Sequence, residues 1–112
     1  MPQTIPHPSS LLQPVLDGAR QLLTRVYGSA LAHTILFGSR ARGDAREDSD
    51  IDVMVVLRRP STLHERERVY EALSELCLEH SVVVSLTFVQ EDAYRDGGMP
   101  VLLNVEREGI AL

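Results

Sequence analysis

The sequence predicts an α/β (or α+β) fold, a single layered domain, and three observations carry that reading. Helix-period and strand-period apolar segments alternate along the whole chain, which is the pattern of helices packed on a sheet. The length of 112 residues with 44% hydrophobic residues supplies one modest core and not two. No internal repeat, low-complexity tract or linker-like stretch divides the chain.

The elements follow in order. Residues 1–10 hold Pro2, Pro6 and Pro8 and read as a flexible lead-in to a domain over residues 11–112. Leu12, Val15, Leu16, Ala19, Leu22, Leu23 and Val26 recur at helical spacing. Pro14 fits only a first turn, so this helix starts near residues 11–14 and ends before Gly28. Leu31 to Phe37 is short, apolar and partly β-branched, and it stops at Gly38 as a strand would. A polar stretch follows from Ser39 to Ser49. Asp50 to Leu57 is a second strand, with Ile51, Val53, Val55 and Leu57 on one face and Asp50, Asp52, Met54 and Val56 on the other.

Thr62 with Glu65 makes a capping box, and Val69, Leu73, Leu76 and Cys77 give the apolar stripe of the helix behind it. Ser81 to Phe88 reads as a third strand, with Ser81, Val83, Ser85 and Thr87 on one face. Short helices over Gln90–Arg95 and Pro100–Arg107 flank the breaker Gly97-Gly98.

Charge and cysteine content exclude several classes. The net charge is −5, and all eleven cations are Arg, with no Lys anywhere. A broad basic face for nucleic acid is therefore not expected, nor do three Tyr and two Phe make a base-stacking platform. One cysteine, Cys77, cannot form an internal disulfide or a cysteine-based zinc site and reads as a buried small hydrophobe. With no run of apolar residues long enough for a membrane span and no signal-peptide pattern, no membrane role is expected and the cytoplasm is the expected location. His7, His33, His64 and His80 show no ligand spacing.

Chemistry concentrates in Phe37-Gly38-Ser39-Arg40-Ala41-Arg42-Gly43-Asp44-Ala45-Arg46-Glu47-Asp48-Ser49-Asp50-Ile51-Asp52. Gly38 ends a strand without a side chain, so an anion can approach its backbone, and Ser39 is placed to cap a following helical turn whose N–H groups attract phosphate. Asp50 and Asp52, two apart on a strand, leave from the same face. Two carboxylates that close repel unless a cation lies between them, and Mg²⁺ prefers one or two carboxylates together with substrate phosphates and water. Separately, these pieces are a turn, a solvated strand edge and an exposed loop; the combination is what suggests a site. Arg40, beside the cradle, is the first candidate to neutralise a triphosphate, before Arg42 and Arg46, which read equally well as exposed charges paired with Asp44, Glu47 or Asp48. Residues 40–49 carry three Arg and three acids, so Asp50 and Asp52 bring the segment to −2. Other motifs fail on the same letters: a P-loop needs Gly-Lys-Ser/Thr, a dinucleotide fingerprint needs three spaced glycines, and an EF-hand needs Gly where Val53 stands.

Gly38-Ser39, ten residues, then Asp50-Ile51-Asp52 resembles the signature of the polymerase-beta-like nucleotidyltransferase superfamily, and the chain length resembles its minimal, antitoxin-type branch. Asn104-Val105-Glu106-Arg107-Glu108-Gly109-Ile110 is similar to that branch's C-terminal ending. The resemblance implies a mixed central sheet flanked by helices, a nucleoside triphosphate bound through Gly38, Ser39 and Arg40, and Mg²⁺ held by the catalytic pair Asp50 and Asp52. It implies transfer of a nucleoside monophosphate, AMP from ATP, to a hydroxyl of a protein partner, the partner being a helical HEPN-type toxin and this chain its antitoxin. Such chemistry rests mainly on positioning and charge neutralisation, so few protein groups are needed. A homo-oligomer is compatible with the sequence.

The sequence departs from the family pattern at one place. Superfamily enzymes carry a third carboxylate on a later strand, and residues 81–88 contain no acid. The expected position falls near Val83, leaving Glu79, Glu91 or Asp92 to reach in from the flanks. A phenol, with a pKa of about 10, needs less help as an acceptor than an aliphatic hydroxyl, so two carboxylates can suffice. The alternative is a binding module that keeps the fold, has lost catalysis and neutralises its partner by direct contact. A small-molecule modifier would need further residues for its acceptor.

Overall fold

The computed structural model describes residues 12–43 and 49–112; the proline-bearing lead-in and Asp44, Arg46, Glu47 and Asp48 lie outside the described residues. Helix α1 (Gln13–Tyr27) begins with Pro14 in its first turn and ends at Gly28. A single 3-10 turn leads into β1 (Leu31–Phe37), followed by the four-residue α2 (Ser39–Arg42) and by β2 (Ile51–Leu57). Helix α3 (Leu63–His80) opens on the capping box: Thr62 Oγ1 accepts from the Glu65 N–H, and Glu65 Oε1 from the Thr62 N–H. Then come β3 (Val84–Gln90), α4 (Glu91–Asp96), α5 (Pro100–Glu108) and a two-residue β4 (Ile110–Ala111).

Strand order is β3-β2-β1-β4, with β2 and β3 parallel and the other pairs antiparallel, so the sheet is mixed. Each face has its own core. Leu36, Ile51, Val53, Val55 and Leu57 pack with Leu16, Leu23, Val69 and Leu73 of α1 and α3. Ile35, Met54, Val56 and Val89 pack with Leu102 and Val105 of α5. Because β2 is covered on both sides, it reads as a nearly continuous apolar run, whereas the edge strand β3 mixes Ser85, Thr87 and Gln90 with its apolar residues.

Two sequence expectations shift. β3 starts at Val84 and not Ser81, because Ser81 adopts φ 54° to end α3 and the Val82 N–H still bonds to Cys77 O. Cys77 is half-buried and packs against the core from its margin. Among the described residues, no helix is long and apolar enough to cross a membrane.

Candidate active site

The site forms where β1 stops and β2 starts. Phe37, the last residue of β1, pairs in register with Asp52, so the Gly38 turn and the acidic start of β2 meet at one end of the sheet. Gly38 has φ 77° and ψ −158°, a conformation open to glycine. Space makes the same demand: a Cβ on Gly38 would lie 2.5 Å from Asp52 Oδ2. The following turn of helix is closed by the Ala41 and Arg42 N–H groups, both donating to Gly38 O at 3.1 Å. Gly38 is therefore the N-cap, with no side-chain cap bond, and Ser39 is the first helical residue and not the cap its sequence position suggested.

Asp52 lies on the same face as Met54 and Val56 and is partly buried; Asp50, just before the strand, is exposed. Burial, and then the neighbouring Asp50 charge, push the Asp52 carboxyl above the usual aspartate range, while Arg42 pulls it back. Ionised Asp52 is thus held at an electrostatic cost that a cation would relieve. The ion pairs among the described residues involve neither carboxylate. A pair of close carboxylates fits Mg²⁺, which takes its remaining ligands from phosphate and water.

The two nearby arginines are anchored differently. Arg40 donates from Nε and Nη2 to Ser49 O at 3.3 and 2.9 Å, holding the residue just before Asp50. Arg42 Nη1 sits 3.1 Å from Glu108 Oε2 at the end of α5. That partner is 66 residues away, and no local signal could have found it; its segment stood out only through the resemblance of the C-terminal ending. Beside Arg40 and Ser49 opens a cleft of about 700 Å³, walled by Cys77, Leu78, Ser81 and Val83 from the α3–β3 corner.

On β3 the residue paired with Asp52 is Ser85, and Thr87 pairs with Met54. Val83 is exposed and accepts the Ile51 N–H through its carbonyl at 2.8 Å. Glu91 and Asp92 follow Gln90, which pairs with Leu57 at the opposite end of the sheet. There Glu91 lies 3.8 Å from Arg58, and Asp92 accepts the Ala93 N–H, so neither reaches the acidic pair. Glu79 is exposed on α3. Among the described residues, no group of three His, Cys, Asp or Glu side chains is gathered to hold a metal.

The family described as "Polymerase beta, Nucleotidyltransferase" matches residues 25–95, well over half of the chain and including both the Gly38 turn and the acidic pair. The chain belongs to this family. Among its polymerase-beta nucleotidyltransferase relatives, a Methanocaldococcus jannaschii protein named "Putative protein adenylyltransferase" is 33% identical over 63 residues, 56% of this chain. The match spans 64% of that protein, a little under two thirds of its length. A solved structure described as a "putative minimal nucleotidyltransferase" superposes with a TM-score of 0.65 at 29% identity, covering 96% of this chain and all of the other. The fold also matches a Shewanella oneidensis complex of a tri-AMPylated HEPN toxin with an MNT antitoxin, with a TM-score of 0.54 and 22% identity over 88% of this chain and 69% of that one.

Proposed function

We propose that this chain transfers AMP from ATP to a hydroxyl of a protein partner, and that the partner is a helical HEPN-type toxin for which the chain is the antitoxin. The observation that carries the proposal is the close approach of Asp52 to the glycine turn. An added Cβ at Gly38 would fall 2.5 Å from Asp52 Oδ2, so the glycine turn and Asp52 share one end of the sheet. In this reading Gly38, Ser39 and Arg40 bind the triphosphate, Asp50 and Asp52 hold Mg²⁺, and residues 11–112 form the transferase domain.

The missing side chain at Gly38 makes room for the Asp52 carboxylate against the backbone, and the first turn of α2 supplies backbone N–H groups that a phosphate oxygen would meet. Arg40 fixes Ser49 and through it the position of Asp50, and it also lines the cleft at the α3–β3 corner. Mg²⁺ bound by the two carboxylates would offset the phosphate charge and help align attacking and leaving oxygens. A phenolic acceptor suits the site best, because the hydroxyls of Ser85 and Thr87 supply no base and a phenol gives up its proton more readily than an alkyl hydroxyl. The names of the M. jannaschii relative and of the S. oneidensis complex point to the same chemistry and class of partner.

The test combines labelled ATP, Mg²⁺ and the product of the reading frame adjacent to that of this chain, using the wild type, Asp50→Ala and Asp52→Ala. Label on the partner that disappears in both variants supports transfer. One observation favours a second reading, a binding module that neutralises its partner by contact: Ser85 occupies the β3 position paired with Asp52, where no third carboxylate stands. Absence of label, with neutralisation undiminished in both variants, selects that reading and overturns transfer.

A further inference from the structure

The two edges of the sheet are unlike. β4 closes one edge with only two residues. β3 closes the other with seven, paired along its whole length to β2 without a register shift. Among the described residues no strand lies on its outer side. Exposed edges are normally guarded by shortness, charge, proline or a bulge. β4 is guarded by its shortness, but β3 has none of these devices. Residues 81–90, Ser-Val-Val-Val-Ser-Leu-Thr-Phe-Val-Gln, include no charge and no proline in a chain that is 24% charged. The Ile51 N–H donates to Val83 O, so in the parallel ladder Ser85, Thr87 and Val89 aim their backbone groups at β2. Val84, Leu86, Phe88 and Gln90 therefore present theirs outward.

We propose that this edge pairs antiparallel with the same edge of a second copy, joining two four-stranded sheets across a two-fold axis at Thr87. The strand is complementary to itself in that register. Val84 falls opposite Gln90, Ser85 opposite Val89, Leu86 opposite Phe88, and Thr87 opposite Thr87, so all seven residues are paired. The outward N–H and C=O groups of Leu86 and Phe88 satisfy each other. An apolar Leu-Phe pair stands on one face and a Thr-Thr pair on the other, both favourable across antiparallel strands. A two-fold contact repeats every charge against itself. In a chain of net charge −5, a seven-residue segment without charge meets its copy without repulsion. Pairing here leaves Asp52 on β2, one strand inward from the interface, with Asp50 just before it.

Sedimentation equilibrium of the full chain at tens of micromolar tests this directly. The expected mass is twice 12.5 kDa, whereas a single-chain mass at that concentration overturns the proposal, including the case in which a different protein covers the edge. Thr87→Lys sets two ammonium groups opposite one another and is expected to give single chains; a dimer that survives it overturns the assignment of the interface. Mixing Thr87→Lys with Thr87→Glu restores the dimer and shows that both variants fold. Should either variant fail to fold, amide exchange of the wild type decides: protection of Leu86 and Phe88 that falls on dilution supports the pairing, and free exchange at all concentrations overturns it.

Discussion

The two ends of β2 treat charge in opposite ways. At the C-terminal end nearly every charge is answered. Arg59 bonds both oxygens of Glu65 at 2.8 and 2.7 Å, Arg58 donates to the carbonyls of Ser29 and Leu31, and Glu91 stands near Arg58. The Glu65 carboxyl falls to about 2, held first by Arg59 and then by the Thr62 N–H. At the N-terminal end two aspartates stand side by side, the carboxyl of Asp52 is pushed up, and the nearest arginines are engaged with Ser49 and Glu108. One end uses charge to secure the fold, and the other holds a carboxyl at an electrostatic cost, which the proposed function assigns to Mg²⁺ binding. Strained electrostatics of this kind mark functional sites more than structural ones.

Asp52→Ala and Asp50→Ala are each expected to lower AMP transfer by about a hundredfold or more, since several kcal/mol of charge stabilisation are lost. Circular dichroism should remain unchanged; activity that survives either change would remove the acidic pair from the site. Gly38→Ala comes next. It forces an alanine to φ 77° at a cost of about 1–3 kcal/mol, and its Cβ displaces the Asp52 carboxylate, so thermal stability and transfer fall together.

At the opposite end, Thr62→Ala removes a helix cap and is expected to cost about 1 kcal/mol in denaturant unfolding with transfer intact. Glu65 adds a pH signature. Its pKa is lowered in the fold from 4.5 to about 2, so its stabilisation is complete above the unfolded value and is lost as pH falls through that window. Glu65→Gln should flatten the dependence there, as acid titration of stability will show. The smallest effect has the opposite sign. Asp52 is raised in the fold, so its ionised form destabilises above the folded pKa and the cost vanishes as pH falls toward the unfolded value. Asp52→Asn is therefore expected to raise the melting temperature slightly at pH 7 without Mg²⁺ while abolishing transfer, and the stability gain should disappear in acid.

Much of this organisation was legible in the chain itself. The limits of β1, the capping box at Thr62 and Glu65 and the face assignment of Asp52 with Met54 all follow from local rules of period and capping. The spacing of Gly38 from Asp50 and Asp52 was readable because a strand end and a strand start have their own signals. Ser39 reads as a cap from its position, but a glycine with positive φ fills that place. The start of β3 moved because ending α3 at Ser81 uses two further residues before the strand can pair. β4 leaves no sequence signal because two residues carry no periodicity.

By itself the sequence determined the longer helices and the first two strands, the two neighbouring aspartates and the glycine turn, because each depends on residues close together in the chain. Tertiary structure alone decided that Phe37 meets Asp52, that Glu108 holds Arg42, that Glu91 and Asp92 lie at the far end of the sheet, and that β3 is an edge. Those facts depend on strand order and register, which are set by the mutual burial of distant apolar faces and by hydrogen bonds between strands that leave no local trace in the sequence.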